Sequence, residues 1–215
     1  MGRSRLAIIV PAYNEALTIG LVIESIRGYG DVIMVDDGSK DETREVASAA
    51  GAIEIVVHCS NRGYDAALAS GFERAQACGY LFALTFDADG QHNPKEIPAF
   101  LSVLLDGSDM VVGVRGRMQR TAEWIFGMFT RLGYGVTDPL CGLKGYRLAS
   151  FQDKVPLWSY DSVGTELLIW ALKKRKKVTQ IPIQISDRVD RPRFSRGLAA
   201  NIKILKAMYS GVIGP

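Results

Sequence analysis

Through the first half of the chain, short and almost unbroken apolar runs alternate with stretches of helical spacing, and this rhythm limits the fold more than any other feature. The runs are 6–10 (LAIIV), 32–36 (VIMVD), 53–57 (IEIVV), 81–86 (LFALTF) and 109–114 (DMVVGV). A strand with one wet face alternates apolar and polar residues, whereas a strand apolar throughout is covered on both faces. Between the runs, 16–29 carries Leu17, Leu21, Val22 and Ile26 at helical spacing, and 41–50 is rich in Ala and Glu. Segments 64–78 and 94–106 complete the set, the latter with Pro94 just inside its start. Strands and helices in turn predict an α/β fold, a doubly wound, mostly parallel sheet with helices on both faces. Right-handed crossovers then bring the loops after the strands to one edge, where ligands bind.

After residue 115 the rhythm changes. Residues 118–134 form an amphipathic segment with Trp124, Ile125, Phe126, Met128, Phe129, Leu132 and Tyr134, and a glycine-punctuated stretch spans 138–148. The pattern then predicts a helix over 161–177, a strand over 178–186 and a last helix over 197–210. Charge divides the same way. Residues 1–107 hold 15 Asp/Glu against 8 Lys/Arg (net −7), and residues 108–215 hold 8 against 18 (net +10). An acidic half beside a basic half points to a cation site facing an anion-binding surface.

With 47% hydrophobic and 23% charged residues, disordered and collagen-like chains are excluded. The cysteines, Cys59, Cys78 and Cys141, are odd in number and widely spaced, which predicts a reduced, cytosolic setting rather than a disulfide framework. No apolar run approaches the ~18 residues of a membrane span, and 6–10 is too short for a secretory signal.

The chemistry lies in the loops at the strand ends. Pro11-Ala12-Tyr13-Asn14-Glu15 comes after the first strand, Asp36-Asp37-Gly38-Ser39 after the second and Asp87-Ala88-Asp89-Gly90-Gln91-His92 after the fourth. Carboxylates gathered at one rim repel one another unless a cation or hydrogen-bond donors compensate them. The alternation of Asp87 and Asp89 places oxygens near one hard cation, Mg²⁺ or Mn²⁺, which one or two carboxylates and substrate phosphates hold together. His58 and His92 lack a ligand pattern and read as ordinary core or surface residues.

Seven stretches in order, IIVPAYNEALTIG (8–20), VDDGSKDET (35–43), NRGYDAALASG (61–71), FDADGQHNP (86–94), VVGVRGR (111–117), DPLCGLKGYR (138–147) and QIPIQISDR (180–188), make the chain resemble the family 2 glycosyltransferases of GT-A fold. The likeness is to the dolichol-phosphate mannose synthase-like branch, the polyprenyl-phosphate glycosyltransferases. It implies one GT-A domain over 1–215, with a nucleotide-sugar-binding half (1–114) and an acceptor-side half (115–215) ending in a C-terminal acceptor lobe. It also implies roles for single residues. Pro11, Ala12, Tyr13 and Glu15 line the base and ribose pocket, Asp37 contacts the base, Asp87 and Asp89 contact the donor, and Asp87, Asp89 and Gln91 hold the metal. Arg115, Arg188 and Arg193 bind phosphate. Arg117, Arg131 and Asp89 take part in catalysis, and Asp138 is the first candidate for a general base.

The activity implied is inverting transfer of a sugar from GDP-mannose or a UDP-hexose to a dolichyl or undecaprenyl phosphate. The enzyme is then expected on the cytoplasmic face of a membrane as a peripheral protein, touching lipid through 118–134. No nucleic-acid partner is expected. Alternatives are a saccharide or other soluble acceptor, and a non-catalytic nucleotide-sugar-binding module. A sugar nucleotidyltransferase would want a glycine-rich phosphate loop after the first strand, where Pro11-Ala12-Tyr13-Asn14-Glu15 stands.

Overall fold

A computed structural model of the chain describes residues 4–116, 121–154 and 162–186, with backbone only over 121–125. Seven strands form one sheet: β1 (Leu6–Ala12), β2 (Asp31–Asp36), β3 (Glu54–Val57), β4 (Phe82–Thr85), β5 (Met110–Arg115), β6 (Lys144–Arg147) and β7 (Val178–Ile183). Their spatial order is β3-β2-β1-β4-β6-β5-β7. Every pairing is parallel except those of β6, which runs antiparallel to both β4 and β5. The strands other than β6 therefore end on one edge, and β6 begins there.

The helices are α1 (Ile19–Ile26), α2 (Thr43–Ala49), α3 (Tyr64–Ala77), α4 (Ile97–Leu105), α5 (Thr121–Tyr134) and α6 (Val163–Lys173). The period of two in β1 decides what each side buries. Ile8 and Val10 join Ile19, Ile23, Ile26, Phe100 and Leu104 in one core, which brings α1 and α4 onto that face. Ala7 and Ile9 join Leu68, Phe72, Leu167 and Leu168 in the other, under α3 and α6. Helix α3 sits close on β1 because Gly71 lacks a side chain; a Cβ there would meet Ile9 Cγ2 at 2.3 Å.

The predicted doubly wound sheet is present. Its elements differ from expectation at their ends, as α1 begins at Ile19 because residues 16–18 turn first. Segment 94–106 divides into a 3₁₀ turn at Pro94–Glu96 and α4. Strand β6 was not expected within the glycine-punctuated stretch over 138–148. Its four residues, Lys-Gly-Tyr-Arg, carry two charges and a glycine, and only the two neighbours it joins make it a strand. The helix predicted over 197–210 lies outside the described residues.

Candidate active site

The loops after β1 and β2 are laced together by backbone groups. Asn14, in the left-handed region at φ 54°, donates its N–H to Ser39 Oγ (2.9 Å) and accepts from the Lys40 N–H on its side-chain oxygen (2.8 Å). Pro11 and Ala12 are buried at the end of β1, and Tyr13 is half-buried beside them. Glu15 is buried, its N–H bonded to Thr43 Oγ1 (2.8 Å) and its carboxylate accepting from the Thr18 hydroxyl (3.0 Å) at the head of α1.

The two aspartates that end β2 and begin its loop have separate tasks. Asp36 closes the turn by accepting the Ser39 N–H (2.8 Å) and holds Arg44 through Nε and Nη2 (3.1 and 2.8 Å). Burial opposes its charge, but the Ser39 and Arg44 bonds outweigh it and keep the carboxyl below its ordinary range. Asp37 accepts from the Arg62 and Gly63 N–H groups (2.9 and 2.8 Å) and from His58 Nδ1 (2.7 Å), while His58 Nε2 meets Ser70 Oγ at 2.9 Å. Asp37 thus pins the loop that leads into α3.

Asp87, after β4, is held on both oxygens. The Tyr64 hydroxyl donates to Oδ1 (2.8 Å), and His92 Nε2 bonds Oδ2 (2.8 Å). Burial again opposes the charge, but His92, Tyr64 and the nearby Lys144 ammonium hold the carboxyl below its usual value. Burial pushes the Tyr64 hydroxyl well up, so it stays a donor. Gly142 backs Asp87 so closely that a Cβ there would lie 2.4 Å from Oδ2. Its carbonyl in turn accepts from Thr85 Oγ1 (2.6 Å).

Asp89 accepts the Gln91 N–H (3.1 Å). Gln91 and Ser186 exchange backbone and side-chain bonds (3.0 and 3.4 Å), and His92 bridges to Ile185. The loop that carries Asp87, Asp89 and Gln91 is therefore stitched to the segment just past β7.

Two cations lie at the ends of neighbouring strands, and one of them, Lys144, acts on Asp87. Lys144, the first residue of β6, is buried with its ammonium on the Cys141 carbonyl, and burial lowers its pKa. Arg115, the last residue of β5, grips Asp138 with Nε to Oδ2 (2.7 Å) and Nη2 to Oδ1 (2.8 Å). Asp138 is 2% exposed. Both carboxylate oxygens of Asp138 are thus engaged by the guanidinium, and the pair reads as a buried strut at the end of β5. Arg131 lies on the exposed side of α5. Arg117, Arg188 and Arg193 lie outside the described residues.

In the sequence pattern Tyr64 and Gly142 carry no role, and His92 reads as ordinary. All three stand inside motif stretches, but their contacts with Asp87 join residues brought together only by the sheet.

Among the described residues, no group of three or more His, Cys, Asp or Glu side chains is arranged to hold a metal ion. The donor set fits a hard cation nonetheless. Asp87, Asp89 and the Gln91 amide offer oxygen only, and Mg²⁺ and Mn²⁺ complete such sites with substrate phosphates. A site of this kind depends on the nucleotide for its remaining ligands.

The family profile described as Glycosyl transferase family 2 matches residues 7–135. The chain belongs to this family. An undecaprenyl-phosphate mannosyltransferase of Micrococcus luteus is 28% identical over 207 residues, covering 86% of this chain and 84% of the relative. A UDP-N-acetylglucosamine–dolichyl-phosphate N-acetylglucosaminyltransferase of Methanococcus voltae is 28% identical, covering 82% and 84%. Glucosyl-3-phosphoglycerate synthase of Mycobacterium tuberculosis, solved with Mn²⁺, UDP and glucosyl-3-phosphoglycerate, superposes with a TM-score of 0.78 at 24% identity. That likeness covers 100% of this chain and 81% of the synthase, and it establishes the GT-A fold.

Proposed function

We propose that this glycosyltransferase moves one sugar from a nucleoside-diphosphate sugar to a polyprenyl phosphate, with inversion and with Mg²⁺ or Mn²⁺. The observation that carries the reading is Asp87, fixed between Tyr64 and His92 on the rim it shares with Asp89 and Gln91, with the Lys144 ammonium nearby. The names of the relatives in Micrococcus and Methanococcus support the acceptor class.

A phosphate oxygen of the acceptor attacks the anomeric carbon from the face opposite the leaving group. The new O–C bond forms as the bond to the donor's diphosphate breaks, and its electron pair leaves with the nucleoside diphosphate. Asp87, Asp89 and Gln91 would hold the cation, which when bound supplies positive charge against the diphosphate. Lys144 adds a fixed positive field behind the same rim, and such preorganised electrostatics commonly form the largest catalytic contribution. Asp138 keeps Arg115 in place at the end of β5. No strong base is required, because a phosphate monoester, with its second pKa near ~6, is largely dianionic at neutral pH.

The acceptor's tail stays in lipid, so the enzyme must approach a bilayer from the cytoplasmic face. Among the described residues no helix is long and apolar enough to cross a membrane. Helix α5 exposes Met128, Phe129 and Leu132, the last 82% accessible, with Arg131 among them. That combination suits contact with the headgroup boundary.

One assay tests the reading. The protein is incubated with labelled GDP- and UDP-sugars, a polyprenyl phosphate and Mn²⁺, with phosphoglyceric acid in a parallel arm. Label should enter the organic phase with one donor and only when the divalent ion is present. Label passing solely to phosphoglyceric acid would favour a soluble acceptor instead.

A further inference from the structure

We propose that Tyr64 and Asp65, neighbours in the first turn of α3, act as a positioning pair that couples helix α6 to the carboxylate of Asp87. The inference rests on the reading of Asp87 as a donor-site group. From one helical turn the two side chains reach in different directions. Tyr64 donates its hydroxyl to Asp87 Oδ1 at 2.8 Å. Asp65 accepts the N–H of Val163, the first residue of α6, at 2.9 Å across 98 residues of chain. The same first turn of α6 lies on Lys144, since a Cβ at Gly164 would stand 3.4 Å from Lys144 Nζ. Lys144 is one of the charges that act on Asp87. Asp87 is therefore bounded on two sides by groups whose positions depend on where α6 begins.

Packing alone does not account for the arrangement. A phenylalanine would fill the volume of Tyr64, yet it is the hydroxyl that meets the carboxylate. Capping alone does not account for it either, because an aspartate that only capped α6 would need no neighbour on Asp87. A ring hydroxyl orients its partner only as well as its own backbone is held, and Asp65 ties that backbone to α6. Residues of the acceptor-side half thereby take part in fixing a carboxylate of the donor-side half.

The test is calorimetric titration of the full chain with Mn²⁺ plus UDP, and separately Mn²⁺ plus GDP, alongside circular-dichroism melts. Tyr64→Phe should weaken binding of the preferred nucleotide on the order of tenfold, the size of losing one hydrogen bond to a charged group, with the melt little changed. Asp65→Ala should weaken it roughly threefold through the lost tie to α6, and much less once Tyr64 is Phe. Asp65→Asn keeps an accepting oxygen and should bind as wild type. Val163→Pro removes the same bond from the other side, at a first-turn position where proline is tolerated, and should match Asp65→Ala. Fully additive losses in the double variant overturn the coupling. Unchanged binding in Tyr64→Phe, with Asp87→Asn weakened, overturns the positioning role alone. Unchanged binding in Asp87→Asn overturns the donor-site reading beneath it.

Discussion

At the scale of single residues, Gly142 and Cys141 stand side by side and illustrate two kinds of constraint. Gly142→Ala would drive a Cβ to within 2.4 Å of Asp87 Oδ2, so the carboxylate must turn away from His92 and Tyr64. The expected outcome is a fall in sugar transfer of at least tenfold with the fold retained, read from steady-state rates and a circular-dichroism melt. Cys141 is buried, and burial, with Asp138 nearby, pushes its thiol up to about 12. A thiol so placed is inert in the native state. Native labelling with a thiol reagent at pH 8 should therefore modify exposed Cys59 first and leave Cys141 untouched until denaturant is added, as peptide mapping would show. Arg115→Ala strands Asp138 as a buried, unpaired carboxylate and should cost about 3–5 kcal/mol in urea denaturation.

At the scale of elements, β6 and α5 carry the consequences. The sheet closes through β6, whose short span joins β4 to β5 and sets Lys144 at the rim. The apolar runs of β1, β2, β4 and β5 were legible because burial on both faces excludes polar residues. β6 was not, because pairing on both sides, rather than composition, stabilises it. Helix α5 was legible as amphipathic, with Phe126 buried and Phe129 (51% accessible) and Leu132 exposed. Replacing Phe129 and Leu132 together by Glu should sharply reduce co-sedimentation with anionic liposomes. Transfer to a short-chain, water-soluble polyprenyl phosphate should persist, and loss of both activities together would count against α5 as the lipid-facing element.

For the whole molecule, the rim links acid stability to function. Asp36 and Asp87 have folded pKa values below the ordinary aspartate value of 3.8. A depressed carboxyl contributes stability that is present above the unfolded pKa and is lost as pH falls through the folded one. Thermal melts should therefore hold steady from neutrality down to about pH 4 and drop below it. Asp36→Asn should flatten that acid limb, at the cost of lower stability at neutral pH. Both halves of the chain share this behaviour because they share one sheet, with β6 and β7 of the second half completing strands of the first.

From the sequence by itself came the strand–helix alternation, the doubly wound sheet, the family, and the acidic loops gathered at one edge. Each of these is written in local pattern: burial on two faces dictates apolar runs, and turns after strands carry their polar groups in series. Only the tertiary structure decided how the charged groups divide their work. Asp138 and Arg115 could each be read as facing substrate, yet they face each other. Tyr64 and His92, which lie 23 residues before and 5 residues after Asp87, hold its two oxygens. A hydrogen bond has a reach of about 3 Å and a direction, and a linear pattern specifies neither until the sheet has set the distances.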